Sequence, residues 1–282
     1  MHIFEARNKT LTLGEHTALM GVVNVTPDSF YAGSRFPDIE AATEAALEMV
    51  ASGADILDIG GESTRPGGER IPVEDEWERV APVLAAVRTQ TDVMISIDTR
   101  KASVAERALE HGADIVNDIS ALTDTAMVDV VARSQAGLVL MHKKGEPETM
   151  QQAPRYEDVL SEVKDYLANA VATAESRGVA ANSIFVDPGI GFGKTLRHNL
   201  TLLSELSSLE TIGKPILVGT SRKSFIGKLL SKTPENRLFG TAGSVAASIL
   251  NGAHAVRVHD VREMRDVAVI ADAVRTPESV AT

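Results

Sequence analysis

Short apolar runs alternate along the chain with longer segments whose apolar residues recur every three or four positions. The runs predict strands and the longer segments predict helices, with a polar or glycine-rich turn after each strand. Strict alternation of this kind implies parallel strands joined by right-handed crossovers. The predicted strands are Ala18–Val25, Ile56–Ile59, Val93–Ile97, Ile115–Asn117, Leu138–Met141, Ile184–Val186, Ile216–Val218 and Ala255–Val258.

Eight strand–helix units favour an α/β fold that closes as a (β/α)8 TIM barrel. A doubly wound open sheet is the alternative, which would use fewer units and place its site at a single crevice. Before the first unit, extended segments at Ile3–Ala6 and Thr10–Leu13 predict a β-hairpin. We expect this N-terminal hairpin to cover the floor of the barrel.

The predicted helices have one-sided apolar stripes and recognisable ends. One stripe comprises Ala41, Ala45, Met49 and Val50, and another comprises Val80, Val83, Leu84 and Val87. The segment Thr233-Pro234-Glu235-Asn236 has the composition of a helix start and predicts a helix over Leu238–Leu250. Glycines are expected to end helices just before the next strand at Gly53, Gly112, Gly178 and Gly252.

Two long turns, Thr26–Asp38 and Glu62–Pro72, follow the first and second predicted strands and are rich in Gly, Pro and Ser. Long turns in compact domains are more often functional lids than accidents. We interpret both as lids over the carboxyl ends of the strands, with plain surface loops as the alternative.

The chain has 282 residues, 44% of them hydrophobic and 24% charged, which is enough to bury a large core. No shift in composition marks a linker, so a single domain over residues 1–282 is expected. The absence of cysteine excludes disulfides, thiolate nucleophiles and cysteine metal sites. The first residues lack the apolar core of a signal peptide, and no apolar run approaches membrane-spanning length, so a cytoplasmic location is expected.

The formal net charge of −11 and the pI near 5.2 argue against nucleic-acid binding, because a phosphate backbone would be repelled. An anionic small substrate is still compatible with this charge. Basic side chains fall near the predicted strand ends, at Arg65, Arg222, Lys223, Arg257 and His259. One face of an acidic protein is therefore expected to be locally basic.

The carboxyl ends of barrel strands build the active site, and here they deliver a particular polar set. Asp98, Asn117 and Asp187 together can accept and donate along one edge of a heterocycle. Two carboxylates that face an amidine-like pair of N–H groups make charge-assisted bidentate contacts, which suits a 2-amino-4-oxopyrimidine ring. Lys223 is placed to donate a hydrogen bond to a ring carbonyl. A paired-carboxylate glycosidase is the competing interpretation.

Asp187 stands between the apolar run Ile184-Phe185-Val186 and a glycine-rich turn. A carboxylate there is costly to bury without a partner, and we expect a ligand to be that partner. The tail Gly193-Lys194-Thr195 is similar to the end of a P-loop, but Pro188 stands where the motif needs its first glycine and offers no N–H. The stretch therefore predicts a tight turn beside a flat ligand and no nucleotide site.

A second polar set suits a diphosphate and a magnesium ion. It comprises Thr64, Arg65, Arg257 and His259, together with Asn24. Arginine is well matched to phosphate oxygens, and Mg²⁺ commonly takes few protein ligands while it keeps several waters. A lone histidine such as His259 is as often structural as functional. The other histidines lack metal-ligand spacing, so no metal is assigned to them.

These motifs together resemble the dihydropteroate synthase family over nearly the whole chain. The matching segments are Asn24-Val25-Thr26-Pro27-Asp28-Ser29-Phe30, Gly60-Gly61-Glu62-Ser63-Thr64-Arg65-Pro66-Gly67, Ile97-Asp98-Thr99, Asn117-Asp118, Asp187-Pro188-Gly189-Ile190-Gly191-Phe192-Gly193-Lys194, Ser221-Arg222-Lys223-Ser224 and Arg257-Val258-His259-Asp260. Each motif alone is moderately specific, and their common order makes the resemblance very specific.

The resemblance implies a transferase of folate biosynthesis. It would join 7,8-dihydropterin-6-ylmethyl diphosphate to p-aminobenzoate, using Mg²⁺, and would be a sulfonamide-sensitive homodimer. The late helices around Leu238–Leu250 and Met264–Val274 are the candidate dimer surfaces. We also expect p-aminobenzoate to bind well only once the diphosphate site is occupied, because the two glycine- and proline-rich turns would complete its pocket only when pyrophosphate orders them.

The resemblance also assigns roles to residues. The pterin would be held by Asp98, Asn117, Asp187 and Lys223, the metal by Asn24, and the diphosphate by Thr64, Arg257 and His259. The p-aminobenzoate pocket would be bordered by Arg65, Pro66, Phe192 and Ser221, and catalysis would rest on Asp187, Lys223 and Arg65. The sequence departs from the family pattern at Arg100, at Ile190 and at Lys143-Lys144, none of which removes a group that the chemistry needs. A methyltetrahydrofolate:corrinoid methyltransferase and a non-catalytic pterin-binding paralogue are the alternatives.

Overall fold

The computed structural model of the protein describes residues 1–25, 39–63, 70–145, 150 and 153–279. The predicted turn over Thr26–Asp38 lies outside the described residues, as does Glu62–Pro72 except for residues 62–63 and 70–72. The interpretation of these turns as lids, and the binding order that depends on it, therefore stays a prediction.

The described strands form a small hairpin and one large sheet. The hairpin pairs β1 (His2–Ala6) with β2 (Lys9–Leu13) in antiparallel register. The sheet contains β3 (Ala18–Asn24), β4 (Ile56–Gly60), β5 (Met94–Asp98), β6 (Ile115–Asp118), β7 (Gly137–Met141), β8 (Ile184–Asp187), β9 (Leu217–Val218) and β10 (Ala255–Val258). The eight predicted strands are all present, with ends shifted by a residue at most.

The eight parallel strands lie in the order β8, β7, β6, β5, β4, β3, β10, β9. The two ends of this order meet through a parallel bridge between Val186 and Ile216, where the amide of Val186 also donates to the carbonyl of Pro215 at 3.0 Å. The sheet thus closes as the predicted (β/α)8 barrel, and the open doubly wound alternative is wrong.

Helices follow the strands and cover the outside of the barrel. They are α1 (Ile39–Ala51), α2 (Val73–Arg88), α3 (Ala102–Glu110), α4 (Met127–Ser134), α5 (Val159–Ser176), α6 (Leu196–Ser204), α7 (Ser224–Leu230), α8 (Leu238–Leu250) and α9 (Val261–Arg275). The four glycines predicted to end helices all have left-handed backbone, with φ between 96° and 103°. In the described part of the chain, no helix combines the length and the apolar character needed to cross a membrane.

Two details of the predicted helices are corrected. In α1 the fully buried side chains are Ala42, Thr43 and Ala46, so the predicted stripe of Ala41, Ala45, Met49 and Val50 is rotated from the true centre of the buried face. The predicted helix Leu238–Leu250 is confirmed as α8, but residues 234–236, which were predicted as its start, form a separate 3₁₀ turn. Between the turn and the helix, the side chain of Arg237 donates to the carbonyls of Lys232 and Arg222.

The lower half of the barrel interior is sealed by apolar side chains from the strands and the hairpin. The ring of Phe4 in β1 lies 4.3 Å from that of Phe185 in β8. Gly137 lies beneath Phe4, and a Cβ there would come within 2.6 Å of its ring. The hairpin therefore covers the barrel floor as predicted, which leaves the carboxyl ends of the strands as the open end.

Candidate active site

The predicted polar residues meet in one pocket at the carboxyl end of the barrel. The pocket is lined by Val22, Asp98, Asn117, Ile119, Met141, Asp187, Phe192, Gly219, Ser221, Lys223, Arg257 and His259. Eight of the residues predicted for the site are among them.

Arg257 and Asp58 organise the floor of the pocket. The guanidinium of Arg257 donates from Nε to Oδ2 of Asp58 at 2.6 Å and from Nη2 to Oδ2 of Asp98 at 2.8 Å. Asn117 donates its amide to the same oxygen of Asp58 at 3.0 Å. Asp58 thus fixes which way both Arg257 and Asn117 face, and its role was not predicted from the sequence.

The Asp98 carboxylate is almost fully buried, with 5% of its surface exposed. Its Oδ1 has no hydrogen-bond partner among the described residues, and neither has Oδ1 of Asp58. Burial raises the pKa of Asp98 to about 7, with Arg257 acting in the opposite direction. A buried acceptor without a partner is costly, so this carboxylate is suited to a donor that the described residues do not supply.

Asp187 ends β8 and is followed by the turn over residues 188–193, which we call the glycine turn. The amide of Gly189 donates a hydrogen bond to Oδ1 of Asp187 at 2.7 Å. The expectation that a ligand is the partner of this carboxylate is therefore wrong for Oδ1. Burial raises the pKa of Asp187, while Lys223 acts in the opposite direction. Both acids therefore have a raised pKa, which could not be inferred from the sequence.

Glycine is required at two positions of the glycine turn for two reasons. Gly189 and Gly193 have φ values of 66° and 63°, which residues with a Cβ rarely adopt. A Cβ at Gly189 would overlap the carbonyl oxygen of His142, and one at Gly193 would overlap that of Lys144. The turn thus lies directly against the backbone that follows β7.

Lys223 reaches across the pocket to the same turn. Its ammonium donates to the carbonyl of Ile190 and lies 4.2 Å from the centroid of the Phe192 ring. Burial lowers the pKa of Lys223 to about 8, while Asp187 acts to raise it. Phe192, Lys223 and Asp187 therefore form one wall of the pocket.

The segments after β9 and β10 are joined to each other. The hydroxyl of Ser221 lies 2.9 Å from Nδ1 of His259 and accepts the His259 amide at 3.2 Å. Arg222 has a left-handed backbone with φ of 56° and forms an ion pair with Asp260. These contacts hold the segment in which Ser221 and Lys223 stand on either side of Arg222, whose backbone is strained.

The remaining predicted residues lie away from this pocket or outside the described residues. Asn24 is the last residue of β3, is half-buried and does not line the pocket. Thr64, Arg65 and Pro66 lie outside the described residues. No group of three or more His, Cys, Asp or Glu side chains within the described ranges is arranged to hold a metal ion.

Two departures from the family pattern have local structural roles. Arg100 forms an ion pair with Glu62 at 2.6 Å. Lys144 bonds the carbonyl of Arg155 and the carboxylate of Glu162. Neither residue lines the pocket, in agreement with the expectation that these positions do not remove a needed group.

Comparison with known proteins supports the assignment of this pocket. Residues 20–259 match the family of pterin binding enzymes. The chain is 45% identical over 262 residues to the dihydropteroate synthase of Synechocystis, covering 92% of this chain and 91% of that protein. Its fold matches a Yersinia pestis dihydropteroate synthase in a sulfonamide drug complex, with a TM-score of 0.92, 38% identity and coverage of 97% and 99% of the two chains.

A dihydropteroate synthase of Xanthomonas albilineans is similar in two complexes. With 4-aminobenzoic acid the TM-score is 0.90, with 39% identity and 99% of each chain covered. With 7,8-dihydropteroate the TM-score is 0.88, with 37% identity and coverage of 99% and 100%.

A barrel with this acid-lined pocket and these relatives is a pterin-binding enzyme. Within that class, the chain belongs to the dihydropteroate synthase family. Neither the corrinoid methyltransferase nor the non-catalytic paralogue finds support in these comparisons.

Proposed function

We propose that the protein condenses 7,8-dihydropterin-6-ylmethyl diphosphate with p-aminobenzoate, giving 7,8-dihydropteroate and pyrophosphate. The observation that carries the proposal is the meeting of Asp98, Asn117 and Asp187 in one pocket where Oδ1 of Asp98 is buried without a partner among the described residues. The 2-amino and ring N–H groups of a pterin are donors of the kind that such oxygens need. Charge-assisted bonds of this type favour a pterin over a sugar or an acyl chain.

Asp98 and Asp187 accept from the pterin N–H groups in this proposal. Asn117 lines the same pocket and adds an amide oxygen, because its amide nitrogen is already bonded to Asp58. Lys223, whose ammonium lies beside Phe192, donates to an acceptor on the pterin ring. These contacts orient the ring so that its methylene carbon faces the p-aminobenzoate pocket.

The diphosphate is assigned to Arg257 and His259, together with Thr64. Nε and Nη2 of Arg257 donate to Asp58 and Asp98, respectively. We assign its Nη1 to the diphosphate. Nδ1 of His259 faces Ser221, so Nε2 is the nitrogen assigned to phosphate oxygen. Positive groups here stabilise charge that develops on the departing pyrophosphate.

Asn24 is the residue that fits a magnesium ion. It is half-buried and ends β3 at the carboxyl end of the barrel. Mg²⁺ prefers oxygen donors and usually keeps waters and substrate phosphate as its other ligands. A bound Mg²⁺ would neutralise charge on the diphosphate, and Asn24 would hold it at the strand end.

The p-aminobenzoate site is assigned to Phe192 and Ser221, together with Arg65 and Pro66. The amine nitrogen of p-aminobenzoate attacks the pterin methylene carbon, the bond from that carbon to the diphosphate oxygen breaks, and the amine loses a proton to solvent. An arylamine is neutral near pH 7, so the protein needs no covalent nucleophile and contributes positioning and electrostatics. Asp187, Lys223 and Arg65 are the proposed catalytic residues.

Pyrophosphate release measured with both substrates and with each one alone tests this function. Release that requires both substrates supports a condensation. Release from the pterin diphosphate alone would indicate a hydrolase, and no release in any mixture would leave a binding protein.

A homodimer through α8 and α9 is also proposed. The residues of α8 at positions 239, 243, 247 and 250 are all exposed, and they are Phe, Gly, Ala and Leu. Their spacing places them on one side of the helix. On α9, Val269, Ile270 and Val274 are exposed as well. An uncharged face of this kind is typical of a surface that another protein covers.

Sulfonamide sensitivity, a cytoplasmic location and a single domain over residues 1–282 stay predictions.

A further inference from the structure

Lys194 is the charged residue of the glycine-rich motif that the proposed function does not use. It is one of the most deeply buried lysines described, with 2% of its surface exposed. Its Nζ lies 2.9 Å from Nδ1 of His142, 2.9 Å from the carbonyl oxygen of Gly189 and 3.0 Å from that of Phe192, with the His142 carbonyl further away at 3.3 Å. The ammonium thus sits in a cage of backbone oxygens and one ring nitrogen.

The cage matches the three N–H groups of an ammonium ion. Carbonyl oxygens can only accept, and an imidazole whose Nδ1 carries no proton accepts as well. Burial, followed by the charge of Lys194, lowers the pKa of His142 to about 3, so this ring stays neutral and offers its lone pair. Burial lowers the pKa of Lys194 well below its usual range, while Asp187 acts to raise it. The three acceptors at 2.9 to 3.0 Å oppose the effect of burial, because they match the three donors of the ammonium form.

The cage belongs to the wall of the pterin pocket. The amide of Gly189 donates to Asp187, and the carbonyl of Ile190 accepts from Lys223. Gly189 and Phe192, whose carbonyls bind Lys194, therefore flank the residue that holds Lys223. The turn contains three glycines of positive φ, which have no side chains to pack, and the fully buried side chain of Ile190 anchors its middle.

We propose that Lys194 is a positioning residue, a tethered cation that fixes the glycine turn so that Asp187, Phe192 and Lys223 face the pterin correctly. Lys194 itself touches neither the pterin nor the p-aminobenzoate. The inference rests on the proposed function, because it assigns the same pocket to a pterin.

Removal of the tether converts the cage into a site for a free monovalent cation. In Lys194→Ala the oxygens of Gly189 and Phe192 lose their donor, and methylammonium carries the same N–H groups in a small volume. We expect Lys194→Ala to bind a pterin about tenfold or more weakly, since it loses bonds to a charged donor. Added methylammonium chloride should restore several-fold of this loss, and tetramethylammonium chloride, which has no N–H, should restore none.

Lys214→Ala is the matched control. Lys214 is another buried lysine, 8% exposed, and donates to Glu175 at 2.6 Å and to the carbonyl of Ala181 at 2.7 Å. It precedes β9 at the opposite end of the barrel from the pocket. We expect Lys214→Ala to lower the melting temperature without a change in pterin affinity and without a response to methylammonium.

The experiment measures pterin binding by calorimetry, kcat/KM for the pterin diphosphate, and the melting temperature for all three proteins. Unchanged pterin affinity in folded Lys194→Ala, or equal rescue by both ammonium salts, would overturn the proposal. An inactive wild-type protein would instead contradict the proposed function, so the two failures are distinguishable.

A measurement on the wild-type protein covers the case in which Lys194→Ala does not fold. With ¹⁵N-labelled lysine, the Nζ protons of Lys194 should exchange slowly with solvent and give an NMR signal that shifts when a pterin binds. Lys194→Gln, which keeps N–H donors but no charge, assigns the signal by its loss. Rapid exchange, or a signal that a saturating pterin leaves unmoved, would overturn the proposal.

Discussion

Asp98 and Arg257 share a hydrogen bond of 2.8 Å between Oδ2 and Nη2, and the other oxygen of Asp98, a residue that lines the pocket, is buried without a partner among the described residues. Arg257 is held in turn by Asp58, which is fully buried. The described residues thus satisfy one oxygen of the Asp98 carboxylate and leave the other for a ligand. Four strands supply the groups that make this arrangement, since β4, β5, β6 and β10 carry Asp58, Asp98, Asn117 and Arg257.

The raised pKa of Asp98 predicts a pH dependence of pterin binding. Burial raises this pKa to about 7 in the free protein, above the value of about 4 in an unfolded chain. The contribution of Asp98 to stability is therefore fully present below about pH 4 and is lost as the pH rises through about 7. A pterin N–H pair needs the ionised form, so affinity should rise as the pH increases through the same range.

Calorimetry near pH 6 in two buffers of different ionisation enthalpy checks this prediction. Binding should release a proton from the wild-type protein. Asp98→Asn should bind weakly and release less, because its amide does not titrate and only Asp187 of the two acids with a raised pKa is left. Equal proton release in both proteins would assign the proton to another group.

Asp187→Asn should abolish most turnover while the fold is kept. The amide loses charge-assisted bonds to the pterin that are worth about 1.5 to 3 kcal/mol, or about ten- to a hundredfold in affinity. Its oxygen can still accept from the amide of Gly189, so the glycine turn keeps this contact. Steady-state kinetics check the loss of turnover, and thermal melting checks that the fold is kept. Retained activity with a large loss of melting temperature would show a structural role instead.

Lys223→Met should lower kcat/KM strongly and remove the alkaline limb of its pH profile. Burial lowers the pKa of Lys223 to about 8, so the wild-type ammonium loses its charge above that pH and with it the pterin contact. Lys228→Met is the control, because Lys228 is exposed one turn further along α7. An unchanged profile in Lys223→Met would mean that another group causes the alkaline loss.

Phe239→Asp should shift the protein from dimer to monomer in sedimentation at micromolar concentration. Phe239 is 81% exposed on the uncharged face of α8, where a carboxylate would be buried in the proposed interface at high cost. Ile3→Asp is the control, since Ile3 is 55% exposed on the hairpin at the other end of the chain. A wild-type monomer would contradict the proposed interface, and so would equal effects of the two substitutions.

Much of the fold was predictable because the local signals agree with it. Strands such as Ile184–Asp187 are buried on both faces, so their apolar runs and the acid that ends them are visible in the sequence. The strand ends then placed Asp98, Asn117 and Asp187 together by topology alone. The helix over Leu238–Leu250 was predicted with its observed bounds. The separate 3₁₀ turn at residues 234–236 was not predicted, because Arg237, which follows it, bonds the carbonyl of Arg222, distant in the sequence.

The supporting residues of the site were less predictable. Asp58 pairs with Arg257, which is 199 residues away in the sequence, and no local sequence pattern predicts that contact. One signal was available, since a charged residue inside the apolar run Ile56–Ile59 is costly unless it is paired. Lys194 was recognised only as part of a failed P-loop, because its cage consists of backbone oxygens that carry no sequence signature.

Simultaneous measurement of both products tests the central claim most directly. The wild-type protein is mixed with 7,8-dihydropterin-6-ylmethyl diphosphate, p-aminobenzoate and Mg²⁺, and pyrophosphate and 7,8-dihydropteroate are quantified in the same sample. The account predicts that the two products form in equal amounts and that neither forms when p-aminobenzoate is left out. Pyrophosphate without dihydropteroate, or a pterin that binds without being consumed, would contradict it.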